Sequence, residues 1–194
     1  MTERYIYTDK VGAGPEHPAK RWGLFTAELS SEQAMRRYAL PVTRRDAWFG
    51  IVRTVDEAAP SAYLQMCPQA NGVVLHTLDR NGSVAASYSW GAYATGDDAD
   101  AGEGAPRLFL NQIVWYVYPE ADRFLDRFES LGNVRMEFTP QGYGKEVRTT
   151  KRGPGEPAST EEREYNDVDV SVNWFAVPAF GQWDPFFNPT PDED

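Results

Sequence analysis

The sequence is poor in the residues that build most catalytic and metal centres. Among 194 residues it has one cysteine, Cys67, and two histidines, His17 and His76. A single thiol excludes an intramolecular disulfide framework and any zinc site built from several cysteines. No apolar run approaches the roughly 20 residues of a membrane helix. The opening Met1-Thr2-Glu3-Arg4-Tyr5 carries no apolar core of a secretory leader. A cytoplasmic setting without a membrane partner is therefore the expectation. There is no Gly-x-Ser-x-Gly elbow, no P-loop, no internal repeat and no sustained heptad pattern. No cofactor is expected.

What is present points to a folded acidic chain. Apolar residues make up 41% of the sequence, enough to bury a core in a chain of this length. The formal net charge is −10, and it is unevenly placed. Residues 1–96 hold 10 basic and 9 acidic residues, whereas residues 97–194 hold 9 and 20. Phosphate backbones are repelled by such a field, so nucleic acid is an unfavourable partner and a basic protein a favourable one. Arginine outnumbers lysine, with abundant Ala and Gly, as in a GC-rich coding sequence; a bacterial or phage setting is expected.

Period-two alternation with aromatic and β-branched residues dominates the chain. It predicts strands at Arg4–Thr8, Trp22–Leu29, Trp48–Thr54, Ala62–Met66 and Val73–Leu78. Further strands are predicted at Ser83–Trp90, Leu108–Tyr118, Val134–Thr139, Glu146–Thr150 and Asp167–Phe175. Asn81-Gly82 between two alternating runs predicts a hairpin with a type I′ turn, placing Val84, Ala86, Tyr88 and Trp90 on one face. Two helices are expected. One follows Ser30, where Ser30-x-x-Gln33 is a capping box and Pro41 marks the stop. The other runs over 119–131, from Pro119 through an apolar stripe of Phe124, Leu125, Phe128 and Leu131 to a left-handed Gly132. The fold expected is α+β: a mainly antiparallel twisted sheet with one or two helices packed on a face. Residues 1–177 form one domain with flexible acidic loops at about 91–106 and 152–165, followed by a Pro- and aromatic-rich acidic tail at 178–194.

Candidate chemistry is sparse. His17 lies in a Pro-rich loop, and His76 lies mid-strand, out of phase with Val73 and Leu75, where a solvent-side or hydrogen-bonded histidine is expected. Cys67 reads as a packed thiol. Arg36, Arg37, Arg44 and Arg45 with Tyr38 and Trp48 offer a small basic patch for an acidic surface or RNA. The chain's own acidic half explains that patch equally well. Asp97, Asp98 and Asp100 cluster in a Gly/Ala loop without the spacing of a calcium loop.

Alternation through Asp167-Val168-Asp169-Val170-Ser171-Val172 would set Asp167 and Asp169 on one strand face, roughly 7 Å apart, able to share a divalent metal. The string resembles the Asp-x-Asp strand of polymerase-β-type nucleotidyltransferases. That resemblance implies a metal-dependent enzyme. The family's upstream Gly-Gly or Gly-Ser turn and its third carboxylate on a later strand have no counterpart here; in an enzyme reading Glu146 or Glu137 would join Asp167 and Asp169.

Trp183, Phe186 and Phe187 would not be left in water; they dock on the domain or on a partner. The leading expectation is a non-enzymatic acidic protein-binding module, of inhibitory or immunity type, that neutralises a basic partner, with Trp183, Phe186, Phe187, Asp97, Asp98 and Asp100 as partner-binding residues. Self-association is possible in this reading. The alternatives are a component of a phage-like assembly, and a metal-dependent enzyme using Asp167 and Asp169.

Overall fold

A computed structural model of the chain describes residues 3–9, 11, 21–25, 27–41, 48–56, 58–67, 71–93, 107–153 and 157–188. The elements run β1 (Glu3–Thr8), β2 (Glu28–Leu29), α1 (Ser31–Tyr38), β3 (Phe49–Val55), β4 (Ala62–Met66), β5 (Gly72–Leu78) and β6 (Val84–Ala92). They continue with β7 (Arg107–Val117), β8 (Gly132–Phe138), β9 (Gly144–Thr150), β10 (Ser159–Tyr165), β11 (Trp174–Ala176) and α2 (Asp184–Phe187). The strands form one sheet in the order β10-β9-β8-β7-β6-β5-β4-β3-β1-β2, with β11 alongside the first residues of β7. Every pairing is antiparallel, and from β3 to β10 each strand pairs with the next. The fold is thus an open meander with few helical residues, coarser than the expected α+β sheet with helices on a face.

Hairpin chemistry sets the register. In the β5–β6 turn only Gly82 has positive φ, at 83°, so the turn is not the expected type I′. It is a three-residue loop: Gly82 N–H donates to the Asp79 carbonyl, and Asp79 N–H to the Ser83 carbonyl. The Asp79 carboxylate tightens it by accepting from Asn81 and Ser83 N–H. The β8–β9 turn repeats the pattern, with Gly142 at φ 82° and the same two bonds between Thr139, Gly142 and Tyr143.

Helix α1 forms as its sequence predicts, with both capping-box bonds between Ser30 and Gln33 made. The helix expected over 119–131 does not form. Only a single 3-10 turn, Arg127–Glu129, appears, and Phe128 is 88% exposed. The segment is pinned instead to the β5–β6 turn: Asn81 Nδ2 donates to the Ala121 carbonyl and Leu125 N–H to Ser83 Oγ. Leu131 is drawn into the sheet by bonds with Val117 and Lys151. Gly132 opens β8 where a Cβ would lie 2.1 Å from the Thr149 carbonyl oxygen, so it serves close approach and not a helix cap.

Three further expectations are corrected. The predicted strand Trp22–Leu29 is a tight Arg21–Phe25 corner, with Trp22 and Gly23 at positive φ, and then the two-residue β2. The predicted loop 152–165 contains β10, paired along all seven residues with β9. The predicted strand Asp167–Phe175 is mostly not a strand. Asp167 turns at φ 56°, Val168 N–H bonds to Gly142, and pairing resumes only at Trp174.

The core lies on one face of the sheet. Phe49, Ile51, Leu64, Met66, Leu75 and Trp90 pack there under α1 and the C-terminal segment. Trp183 is 0% exposed, and Phe186 and Phe187 are buried with it. Trp183 packs edge-on to Tyr38, and its indole N–H donates to Tyr7. Phe186 packs edge-on to Trp90, and Phe187 stacks near Tyr5. Described residues 178–188 are therefore part of the domain's core, and the docking is in cis. The opposite face is covered over β1, β3 and β4 by Val11, Leu24 and Phe25, which pack on Ile6, Val52 and Tyr63.

Trp183→Ala removes a fully buried indole and should cost about 3–5 kcal/mol. Trp115→Ala, at a residue 38% exposed, should cost about 1 kcal/mol or less. Chemical denaturation of the two variants checks the contrast.

Candidate functional site

The core face and its continuation are unlike. From β7 onward, alternation stays clean. One face carries Trp115, Val134, Met136 and Phe138; the other carries Asn133, Arg135 and Glu137. Ile113 joins the apolar face to the core cluster. Beyond it no described segment covers the face. Trp115 and Val117 are 38% and 52% exposed, and Val134 and Met136 are half-buried. β10 is exposed at every residue and forms one edge of the sheet. Its pairing is held by the ladder and by cross-strand charges: Glu161 opposite Arg148, Arg163 opposite Glu146, Glu164 opposite Lys145. Lys145 Nζ reaches Glu162 at 2.9 Å, and Tyr165 donates to Glu146 at 2.9 Å. The Tyr165 hydroxyl first, and the Arg148 guanidinium beside it, hold the Glu146 carboxyl below its usual range.

The opposite face has a second feature. Register places Ile6, Val52, Tyr63, His76, Ser87 and Val114 in one row across six strands. His76 is buried, with Nδ1 2.7 Å from Ser87 Oγ and Nε2 3.3 Å from Gln65 Oε1. Because Gln65 Oε1 can only accept, Nε2 carries the proton and Ser87 donates to Nδ1. Burial first, and the Arg127 charge second, push the His76 pKa down to about 4. The Ser87–His76 distance is that of a nucleophile and its base, but both are sealed from solvent, and the third partner is an amide. Of the two arrangements expected for His76, the structure shows the hydrogen-bonded one. Cys67 is buried, which pushes its thiol pKa up.

The sequence candidates are scattered. Trp183, Phe186 and Phe187 are core residues, unavailable to a partner while seated there. Asp97, Asp98 and Asp100 lie outside the described residues, as do His17, Arg44 and Arg45. Arg36 pairs with Glu32, and Arg37 with Asp9. Tyr38 is committed to the Pro178 carbonyl. Asp167 and Asp169 do not share a strand face, because 167–170 is not a strand; the Asp169 carboxylate accepts from Ser171 N–H. Glu137 and Glu146 occupy opposite faces of the sheet. No group of three or more His, Cys, Asp or Glu that could hold a metal occurs among the described residues. No described helix is long and apolar enough to cross a membrane.

The Tyr63–His76–Ser87 row carries no local motif and becomes visible only once the register is known. The open apolar face was signalled by Val134, Met136 and Phe138, but alternation does not say which faces are covered. No protein-family model, curated protein or solved structure matches this chain.

With His76 at about 4 folded and about 6.5 unfolded, the unfolded chain binds more protons between those values. Stability should be level above pH 6.5 and fall by about 3 kcal/mol as pH drops toward 4. Urea unfolding across pH should show that component, and His76→Gln should lack it. Arg127→Gln should move the His76 titration upward, as followed by the imidazole proton resonances.

Proposed function

We propose that this chain is a non-enzymatic protein-binding module, of inhibitory or immunity type, and that its partner presents a basic surface with an apolar centre. The observation that carries this is the apolar face of β7 and β8 that no described segment covers. An amphipathic sheet whose apolar side faces water has left that surface for another molecule. Trp115 is the natural anchor, since an indole in the middle of a patch dominates interface energetics. The polar rim is supplied by Arg148, Glu161 and Arg163, the continuations of the same cross-strand rows.

Charge selects the partner. The chain carries −10 overall, and β10 has three glutamates to one arginine. A second copy is repelled by that field, and a basic protein is steered in. The free edge of β10 supports the second reading, an assembly component that adds a neighbour's strand. Its glutamates oppose that, since charged side chains blunt strand edges.

A photo-crosslinking residue in place of Val117, expressed in the chain's source cells, tests the reading. One adduct with a single basic protein is expected, weakened by high salt and lost when Trp115→Arg and Met136→Arg are combined. No adduct, or an adduct of twice the chain's own mass, would contradict it.

A further inference from the structure

On the polar face, away from the proposed partner surface, segment 124–127 passes over the sheet and closes a cavity of about 220 Å3. Its polar walls are Tyr63, Gln65, Asp126 and Arg127; Val84 and Phe124 are apolar. Leu125, also in the wall, is buried and anchored by its N–H to Ser83 Oγ at 2.8 Å, so the roof is fixed.

The donors in this cavity outnumber their acceptors. Tyr63 is a buried residue whose hydroxyl has no hydrogen-bond partner among the described residues. Gln65 gives its oxygen to His76 Nε2, and its amide nitrogen has no partner among the described residues. Arg127 bonds the Tyr116 phenol and forms no ion pair among the described residues. Three side chains able to donate therefore line one space, and one of them is a permanent cation with a planar fork. Asp126 is the only acid in the wall, and its carboxylate already accepts from Phe128 N–H at 3.0 Å. One arginine beside one aspartate leaves the local charge near neutral, which suits a singly charged anion better than a phosphate dianion. The cavity is below the usual size of a drug-like ligand site, and its apolar wall takes a short hydrocarbon group.

We propose that this cavity binds a small monocarboxylate, its carboxylate held by Arg127, the Tyr63 hydroxyl and the Gln65 amide, and its short apolar part against Val84 and Phe124. The carboxylate comes either from a free acid or from the C-terminus of a peptide. The site uses neither Trp115 nor β10, so its failure and that of the partner surface are separable.

The test is an NMR titration of the full chain, reading the His76 and Tyr63 ring resonances. The probes are isobutyrate, benzoate, a short peptide ending in valine, its C-terminal amide and inorganic phosphate. Saturable shifts at millimolar concentration or below are expected with at least one carboxylate probe. Response to the acids alone assigns a free acid; response to the peptide but not its amide assigns a chain terminus. Arg127→Gln should weaken that binding at least tenfold, and Tyr63→Phe severalfold, with the dispersion of the remaining resonances unchanged. The proposal fails if no probe saturates by about 50 mM. It fails equally if phosphate or the peptide amide matches the carboxylates, or if Arg127→Gln binds as the parent does.

Discussion

One sheet must hide an apolar face that its own helices are too few to cover, and the C-terminal segment does that work. Trp183, Phe186 and Phe187 close over Phe49, Leu64 and Trp90. Burial of such large side chains is worth a few kcal/mol each, a sizeable share of a domain's net stability. The cover reaches β6 and the first half of β7. Beyond it, β8 keeps the same alternation through Val134, Met136 and Phe138, where no described segment packs over them, and β9 turns the face polar with Glu146 and Arg148. The partner surface of the proposed function begins where the C-terminal segment ends.

The two faces divide their roles by the same register. Cross-strand pairing fixes which residues stand together, so a row that is apolar on β1 and β3 becomes polar at Tyr63, His76 and Ser87 and charged at Arg135 and Glu162. On the buried part of that row, polar groups must satisfy one another. His76 does so by remaining neutral between Ser87 and Gln65. Where segment 124–127 crosses the row, donors of Tyr63, Gln65 and Arg127 are left facing a cavity.

Much of the sheet was legible in the sequence. All ten strands predicted from alternation meet strands in the structure, though Trp22–Leu29 shrinks to Glu28–Leu29 and Asp167–Phe175 meets one only at its last two residues. What misled was local signal overruled by tertiary bonds. Pro119, Glu120 and the Phe124–Leu131 stripe satisfy every helix rule, yet Asn81 and Ser83 hold that segment on an irregular path with a single 3-10 turn. β10 was missed because it contains no aliphatic residue, and hydrophobic periodicity cannot see it. Its signal was charge complementarity: read antiparallel, Glu161, Arg163 and Glu164 meet Arg148, Glu146 and Lys145. The carboxylate pair Asp167 and Asp169 looked like a site only on the assumption of a strand, which the left-handed turn at Asp167 removes. The aromatic cluster at the C-terminus was legible as something that must dock; where it docks depended on a face whose extent only the register defines.

The account rests on the apolar face being covered over β3–β6 and open over the second half of β7 and β8. Hydroxyl-radical footprinting of the isolated chain reads this directly through its tryptophans. Trp115 should oxidise readily, while Trp90 and Trp183 stay protected until the chain unfolds. Equal protection of Trp115 and Trp183, or a Trp183 as reactive as Trp115, would contradict it.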